Sequence, residues 1–143
     1  MPAVPSDEEF LAYNQGVIEE FRAHKGVVRQ PPFPVLLLTT TGARTRRRTT
    51  VPLGYAVDDD GRVFVVASKA GAPNHPAWFH NLQANPAVTV ELGEESFQAQ
   101  AVVTTGEERD RLYRRVAGVG NEYEKNTDRI FPVVVLDGVP APT

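Results

Sequence analysis

The densest chemistry in this chain lies in residues 39–50, Thr-Thr-Thr-Gly-Ala-Arg-Thr-Arg-Arg-Arg-Thr-Thr, where Arg44, Arg46, Arg47 and Arg48 fall within five residues. Guanidinium groups recognise carboxylates and phosphates through paired N–H donors held in one plane. Thr45, Thr49 and Thr50 add hydroxyls, and a turn at Gly42 offers backbone N–H groups to the same anion. A charge run of this kind also reads as a solvated hairpin loop. The whole chain carries a net charge of −3. A basic cluster confined to one turn of an acidic protein suits a specific anion better than a nucleic-acid surface.

A second stretch, residues 67–82, is crowded with small side chains. Gly71 and its alanine neighbours let a flat ligand approach the backbone closely. Ser68 and Lys69 offer a hydroxyl, a cation and main-chain donors. Trp78, the single tryptophan, is equally suited to walling a ring pocket and to packing a core. His75, between Asn74 and Pro76, reads as a structural hydrogen-bonding residue, and His24 and His80 as surface histidines. A third stretch, residues 121–132, carries Tyr123, which suits either a phenol facing a ligand or a cap on the fold. Asp128 and Arg129 suit a local ion pair.

Absences narrow the chemistry further. The sequence has no cysteine, which removes disulfides, thiolate nucleophiles and Cys-held metal clusters. The three histidines lack HExxH spacing and acidic companions, so no metal site is expected. Redox work would need a borrowed organic cofactor. Neither a strand–GxGxxG–helix unit nor a P-loop is present, which sets aside Rossmann and Walker folds. No apolar run approaches the roughly 20 residues that span a bilayer. The opening MPAVPSDEEF lacks the basic and apolar regions of a secretory signal, and cytoplasmic residence is the default expectation.

The elements that must position these residues follow from periodicity. Ser6 and Glu9 form an S-x-x-E box that predicts a helix from Asp7. Phe10, Leu11, Val17, Ile18 and Phe21 then give it one apolar face to about His24. The prolines at 31, 32 and 34 make residues 29–34 an extended connector. Strands are expected over 35–40, 50–57, 62–67, 88–92, 97–103 and at Val133, Val134, Val135 and Leu136, with a tight hairpin at Asp58-Asp59-Asp60-Gly61. A short helix is expected over 73–84, closed by Asn85-Pro86. Another is opened by the T-x-x-E box of Thr105 and Glu108 and runs to about Val116. This order predicts an α+β, mainly β fold: six antiparallel strands in a small closed or partly open barrel with peripheral helices. The N-terminal helix and connector take residues 1–34, the barrel 35–137, and a loose tail 138–143.

Together the three stretches resemble the deazaflavin (F420)-dependent nitroreductase family of small split β-barrel reductases. The matching pattern is LLLTTTGART, then RRTT and PLGY, then VVASKAGAPNHPAWFHNLQANPAVTVEL, then TDRIFPVVVL, spanning about residues 35–136. The resemblance implies a six-stranded antiparallel split β-barrel that binds coenzyme F420, an 8-hydroxy-5-deazaflavin with a phospholactyl-oligoglutamate tail. It implies that Arg44, with Arg47 or Arg48 and Thr45 beside them, holds the anionic tail. Thr49, Thr50, Pro52 and Leu53 would follow on the next strand. Val66, Ala67, Ser68, Lys69 and Gly71 would form a second contact segment, and Ala77, Trp78, Phe79, His80 and Asn81 would close over the cofactor. Three departures stand out. The family's usual glycine after the Arg44-Thr45 pair is missing, with Val51 standing as an insertion before Pro52. The family's double glycine after the lysine is Ala70-Gly71 here. Of the tyrosines preceding the TDR segment in the nitroimidazole-activating member, only Tyr123 is matched, with Ala117 and Gly120 at other positions.

The implied activity is hydride transfer from reduced F420 to an electron-poor small organic acceptor (an enone, quinone or nitro compound), with Tyr123 on the substrate side. Two alternatives stay open: a split-barrel reductase that binds FMN, whose single phosphate needs fewer arginines, and a carrier that binds F420 without turnover. By analogy with split barrels a homodimer is expected. The first helix suits packing on the barrel, gating a pocket, or peripheral contact with a membrane that holds a lipid quinone. Its acidic start, Asp7-Glu8-Glu9, disfavours an anionic membrane.

Overall fold

A computed structural model of the chain describes residues 7–29, 34–67, 76–117 and 131–140. In β1 (Val35–Thr41), Leu36 and Leu38 point to one face, Val35 and Leu37 to the other, and all four are buried. Successive strand side chains alternate in direction, so β1 needs cover on both sides. The strands that follow are β2 (Arg48–Gly54), β3 (Ala56–Val57), β4 (Val63–Val66), β5 (Ala87–Leu92), β6 (Glu95–Val103) and β7 (Val133–Asp137). They form one antiparallel sheet in the order β2-β1-β5-β6-β7-β4-β3.

The sheet thus has seven strands rather than the expected six, and the reason is topological. The segment expected as one strand over 50–57 breaks at Tyr55. Its first part pairs with β1, from Val35 opposite Gly54 to Thr41 opposite Arg48. Its second part pairs with β4, Ala56 opposite Phe64. The two outer edges of the sheet are therefore consecutive pieces of one chain segment, and the sheet curls into a split barrel. Pro52 sits on the edge strand β2, where its missing N–H forfeits no second partner.

Every strand sends alternate residues into one interior core, among them Leu36, Leu38, Val65, Val90, Ala101 and Leu136. Two helices cover outer walls. Ile18 and Phe21 of α1 (Asp7–Ala23) pack on Val35 and Leu37. Leu112 and Tyr113 of α3 (Gly106–Ala117) pack on Phe64, Val133 and Val135. The third, α2 (Ala77–Ala84), buries Trp78, Phe79 and Leu82 against the interior core. It begins after Pro76, and the expected first residues of this helix, 73–75, lie outside the described residues.

At the hairpin between β3 and β4, Gly61 adopts φ +82°, the left-handed conformation that a glycine takes without a Cβ penalty. The Asp58 carboxylate accepts from the N–H of Asp60 and of Arg62 and from the Arg62 guanidinium, the last at 2.7 Å. Burial pushes its pKa up, but these hydrogen bonds and the Arg62 charge prevail and hold it below the ordinary carboxylate value. Arg62 reaches on to Glu108, and Arg115 pairs with Asp59 at 2.7 Å, so α3 is tied to this hairpin. The helix begins at Gly106, directly after Thr105, as the T-x-x-E box predicts, and the Glu108 carboxylate of that box accepts from Arg62. Val139, expected in a loose tail, is buried in the interior core, because the turn at Gly138 brings the chain back over the barrel.

Candidate functional site

One end of the barrel gathers most of the described candidates. β1 ends there at Thr41 and β2 begins there at Arg48, across the register pair those two residues form. β4 ends there as well: Val66 lies opposite Val133, and the Ala67 N–H donates to the Pro132 carbonyl at 2.9 Å. Helix α2 plugs this end with Trp78, Phe79 and Leu82. The basic turn, the exit of β4 and the small-residue helix, separated in sequence, thus share one rim.

The turn itself is a tight corner. The Gly42 N–H donates to the Arg47 carbonyl at 2.7 Å and the Arg46 N–H to the Gly42 carbonyl at 3.1 Å. A Cβ on Gly42 would lie 2.7 Å from Thr45 Oγ1, a hydroxyl that also accepts from the Arg47 N–H. Only glycine closes the loop this tightly. Arg46 holds φ +59°, a left-handed conformation that disfavours a residue with a Cβ. Residues 43–49 are all exposed. Among the described residues, the guanidinium groups of Arg44, Arg46 and Arg47 meet no carboxylate. Concentrated positive charge of this kind draws in an external anion.

Arg48 behaves differently. Its guanidinium donates to Thr89 Oγ1 at 2.6 Å, and that hydroxyl donates on to Gln98. Thr50 shares a hydrogen bond with Thr39 at 2.7 Å. Cross-strand pairing puts Thr39 opposite both Thr50 and Thr89, on the outer wall, while Leu38 opposite Val51 marks the interior. By the same alternation Pro52 faces outward and Leu53 inward, with Thr49 inward beside Thr40 at the rim. The candidate strand residues therefore divide between two walls.

Helix α2 is fastened to the corner by two amides that sequence reasoning did not assign to that task. Asn81 Oδ1 accepts from the Ala43 N–H at 3.1 Å, and its Nδ2 donates to Thr40 Oγ1 at 3.3 Å. Asn85 Nδ2 donates to the Thr41 carbonyl at 3.4 Å. The only sequence signal for Asn85 was its place before Pro86 at a helix stop. Nothing marked Thr89 or Gln98, which reach Arg48 only through strand pairing.

Trp78 is buried in the core, only 8% exposed, and Phe79 is buried beside it, whereas Ala77 and His80 face solvent. Val66 is half-buried and Ala67 buried at the rim. Ser68, Lys69, Gly71, His75, Tyr123, Asp128 and Arg129 lie outside the described residues. On the side of α2 turned away from Asn81 and Asn85, an open groove of about 510 Å³ runs past Phe79, Gln83, Val103, Thr104, Arg109 and Pro132. Among the described residues no cluster of His, Asp or Glu could hold a metal ion, and no helix is long and apolar enough to cross a membrane.

Residues 14–138 match the family model described as F420H(2)-dependent quinone reductase. The chain is 41% identical over 111 residues to an F420H(2)-dependent quinone reductase of Mycobacterium tuberculosis (strain ATCC 25618 / H37Rv), covering 72% of each protein. Among solved structures, it resembles an F420-H2 dependent reductase (FDR-A) at TM-score 0.63 and 36% identity, over 73% of this chain and 94% of that one. It also resembles a chain solved as a domain-swapped dimer, at TM-score 0.65 and 32% identity, over 92% of this chain and 100% of that one.

Proposed function

The chain belongs to the F420H(2)-dependent quinone reductase family, and from that premise we propose that its basic corner holds the anionic tail of coenzyme F420 while the rim beside α2 receives the ring. The protein is an oxidoreductase that transfers a hydride from reduced F420 to a small, quinone-type acceptor. The observation that carries the assignment of the tail is the set of exposed guanidinium groups on Arg44, Arg46 and Arg47, which meet no carboxylate among the described residues. That donor set fits a chain of phosphate and glutamate charges. FMN, with one phosphate, would leave much of it unused.

When bound, the reduced coenzyme supplies two electrons as one hydride. The chain's own residues bind, orient and exclude water. Arg44, Arg46 and Arg47 hold the tail through charge-assisted hydrogen bonds, each guanidinium offering five N–H donors. Thr45 and Thr49 offer hydroxyls on either side of them. Arg48, fixed on Thr89, extends positive charge from the corner onto the outer wall. Trp78 and Phe79 seal the barrel end beneath the site and keep water from the interior. Val66 and Ala67 form the edge from which Ser68, Lys69 and Gly71 continue as candidate ring contacts. The groove past Phe79, Val103 and Pro132 is our candidate path for an apolar acceptor, with Tyr123 the candidate on the acceptor side.

A homodimer is supported by the relative solved as a domain-swapped dimer. Peripheral membrane contact rests only on Leu11 and Tyr13, 69% and 50% exposed on α1. The test of function is turnover. Purified protein mixed with reduced F420 and menadione should restore the absorbance of the oxidised coenzyme, catalytically in protein. Binding of the coenzyme without turnover would identify a carrier, and absence of binding would reject the assignment.

A further inference from the structure

Asn81 was expected to touch the cofactor, yet both ends of its amide are engaged within the protein. One end accepts from the backbone of Ala43 inside the basic corner, and the other donates to Thr40, a hydroxyl only 1% exposed. Asn85, one helical turn on, adds a bond to the Thr41 carbonyl. Trp78 lies three residues before Asn81, on the neighbouring turn of the same short helix, in the interior core. The contacts run unbroken from the corner backbone through the Asn81 amide to the helix that carries Trp78.

We propose that Asn81 is a positioning residue: it holds the arginine corner in fixed register with α2, so that binding of an anionic tail at the corner is felt at Trp78. This rests on the assignment of the tail to the corner, and the two can fail separately. Because Thr40 is buried, moving the corner away from Asn81 takes a partner from its hydroxyl, which restricts the arrangements open to the corner. A ligand that draws Arg44, Arg46 and Arg47 around its charges bears on the loop from Gly42 to Arg47. Asn81 links that loop directly to α2. The arginines are thereby preorganised, and less ordering is left for the binding step.

The single tryptophan of the chain makes the test direct. A γ-linked glutamate tripeptide, which mimics the tail without a light-absorbing ring, is titrated into the protein while calorimetry follows binding and fluorescence follows Trp78. The native protein should bind the peptide with a saturable change in tryptophan emission. Asn81→Leu should weaken binding about tenfold, the scale of losing one to two hydrogen bonds, and abolish the emission change at saturation. Asn81→Asp keeps both contacts, with the Thr40 hydroxyl donating, and guards against a folding failure in the leucine variant. It should bind more weakly because of its added charge yet give the full emission change at saturation. Unchanged affinity or a surviving emission change in Asn81→Leu overturns the proposal, as does loss of the change at saturation in Asn81→Asp. Native protein that binds the peptide with no emission change overturns it while leaving the tail assignment standing. No binding at all removes both.

Discussion

The strand segment 48–57 is flanked by two charged turns, and they treat their charges in opposite ways. At its far end the acidic turn is satisfied from within. Asp58 holds Arg62 and two backbone N–H groups, and Asp59 holds Arg115. At its near end the basic corner leaves Arg44, Arg46 and Arg47 facing solvent, with Arg46 kept in a left-handed conformation. A turn that serves only the fold has no use for uncompensated like charges, since they repel one another and stabilise nothing. The contrast separates an acidic turn that fastens the fold from an exposed basic corner that our proposal gives to a ligand.

Breaking the basic corner should give the largest effect. Replacing Arg44, Arg46 and Arg47 together by alanine should lower affinity for tail-bearing F420 by about 100-fold or more, the scale of several charge-assisted hydrogen bonds. The thermal midpoint should hardly move. A large fall in stability with little loss of affinity would reverse the roles assigned to the two turns.

Breaking the acidic turn should do the converse. Asp58→Asn should cost about 1.5–3 kcal/mol of stability, the range for hydrogen bonds to a charged group, and leave coenzyme affinity unchanged. The pH dependence has a definite sign. Because the pKa of Asp58 is lowered in the folded state from its ordinary 3.8, its contribution is complete above that value and is lost as pH falls through the lower, folded-state value. Denaturant titrations of the native protein and of Asp58→Asn should therefore differ most above pH 3.8 and converge in stronger acid.

The smallest effect sharpens the comparison within the corner. Arg46→Gly should keep or slightly raise the thermal midpoint, since glycine takes φ +59° without a Cβ penalty. It should at the same time weaken binding of the tail severalfold. A clear loss of stability would mean that the Arg46 side chain supports the fold.

Much of this architecture was legible along the chain. The apolar, β-compatible run over residues 35–40 and the Asp-Gly hairpin carry local signals, and the structure realises both. The break at Tyr55 has no such signal, because it arises only when the curling sheet brings both its edges to one segment. Arg48 was expected at the tail beside Arg44, and only the register of β1 with β5 shows Thr89 within its reach. The Thr105–Glu108 box announced the start of α3, but nothing local announced that Glu108 reaches Arg62, 46 residues away. The bonds of Asn81 to Ala43 and Thr40 had no signal, because sequence cannot say which partners an amide meets. Val139 read as tail because a single valine beyond a strand carries no period.

The central claim, that the corner is an anion site and the ring is recognised elsewhere, meets its most direct test in salt. Oxidised F420 and an analogue lacking the tail are each titrated into the protein across a series of sodium chloride concentrations. Affinity for the tail-bearing coenzyme should fall steeply as screening grows, while affinity for the tail-less analogue stays nearly flat and the two converge at high salt. Equal salt dependence for both ligands would contradict the account.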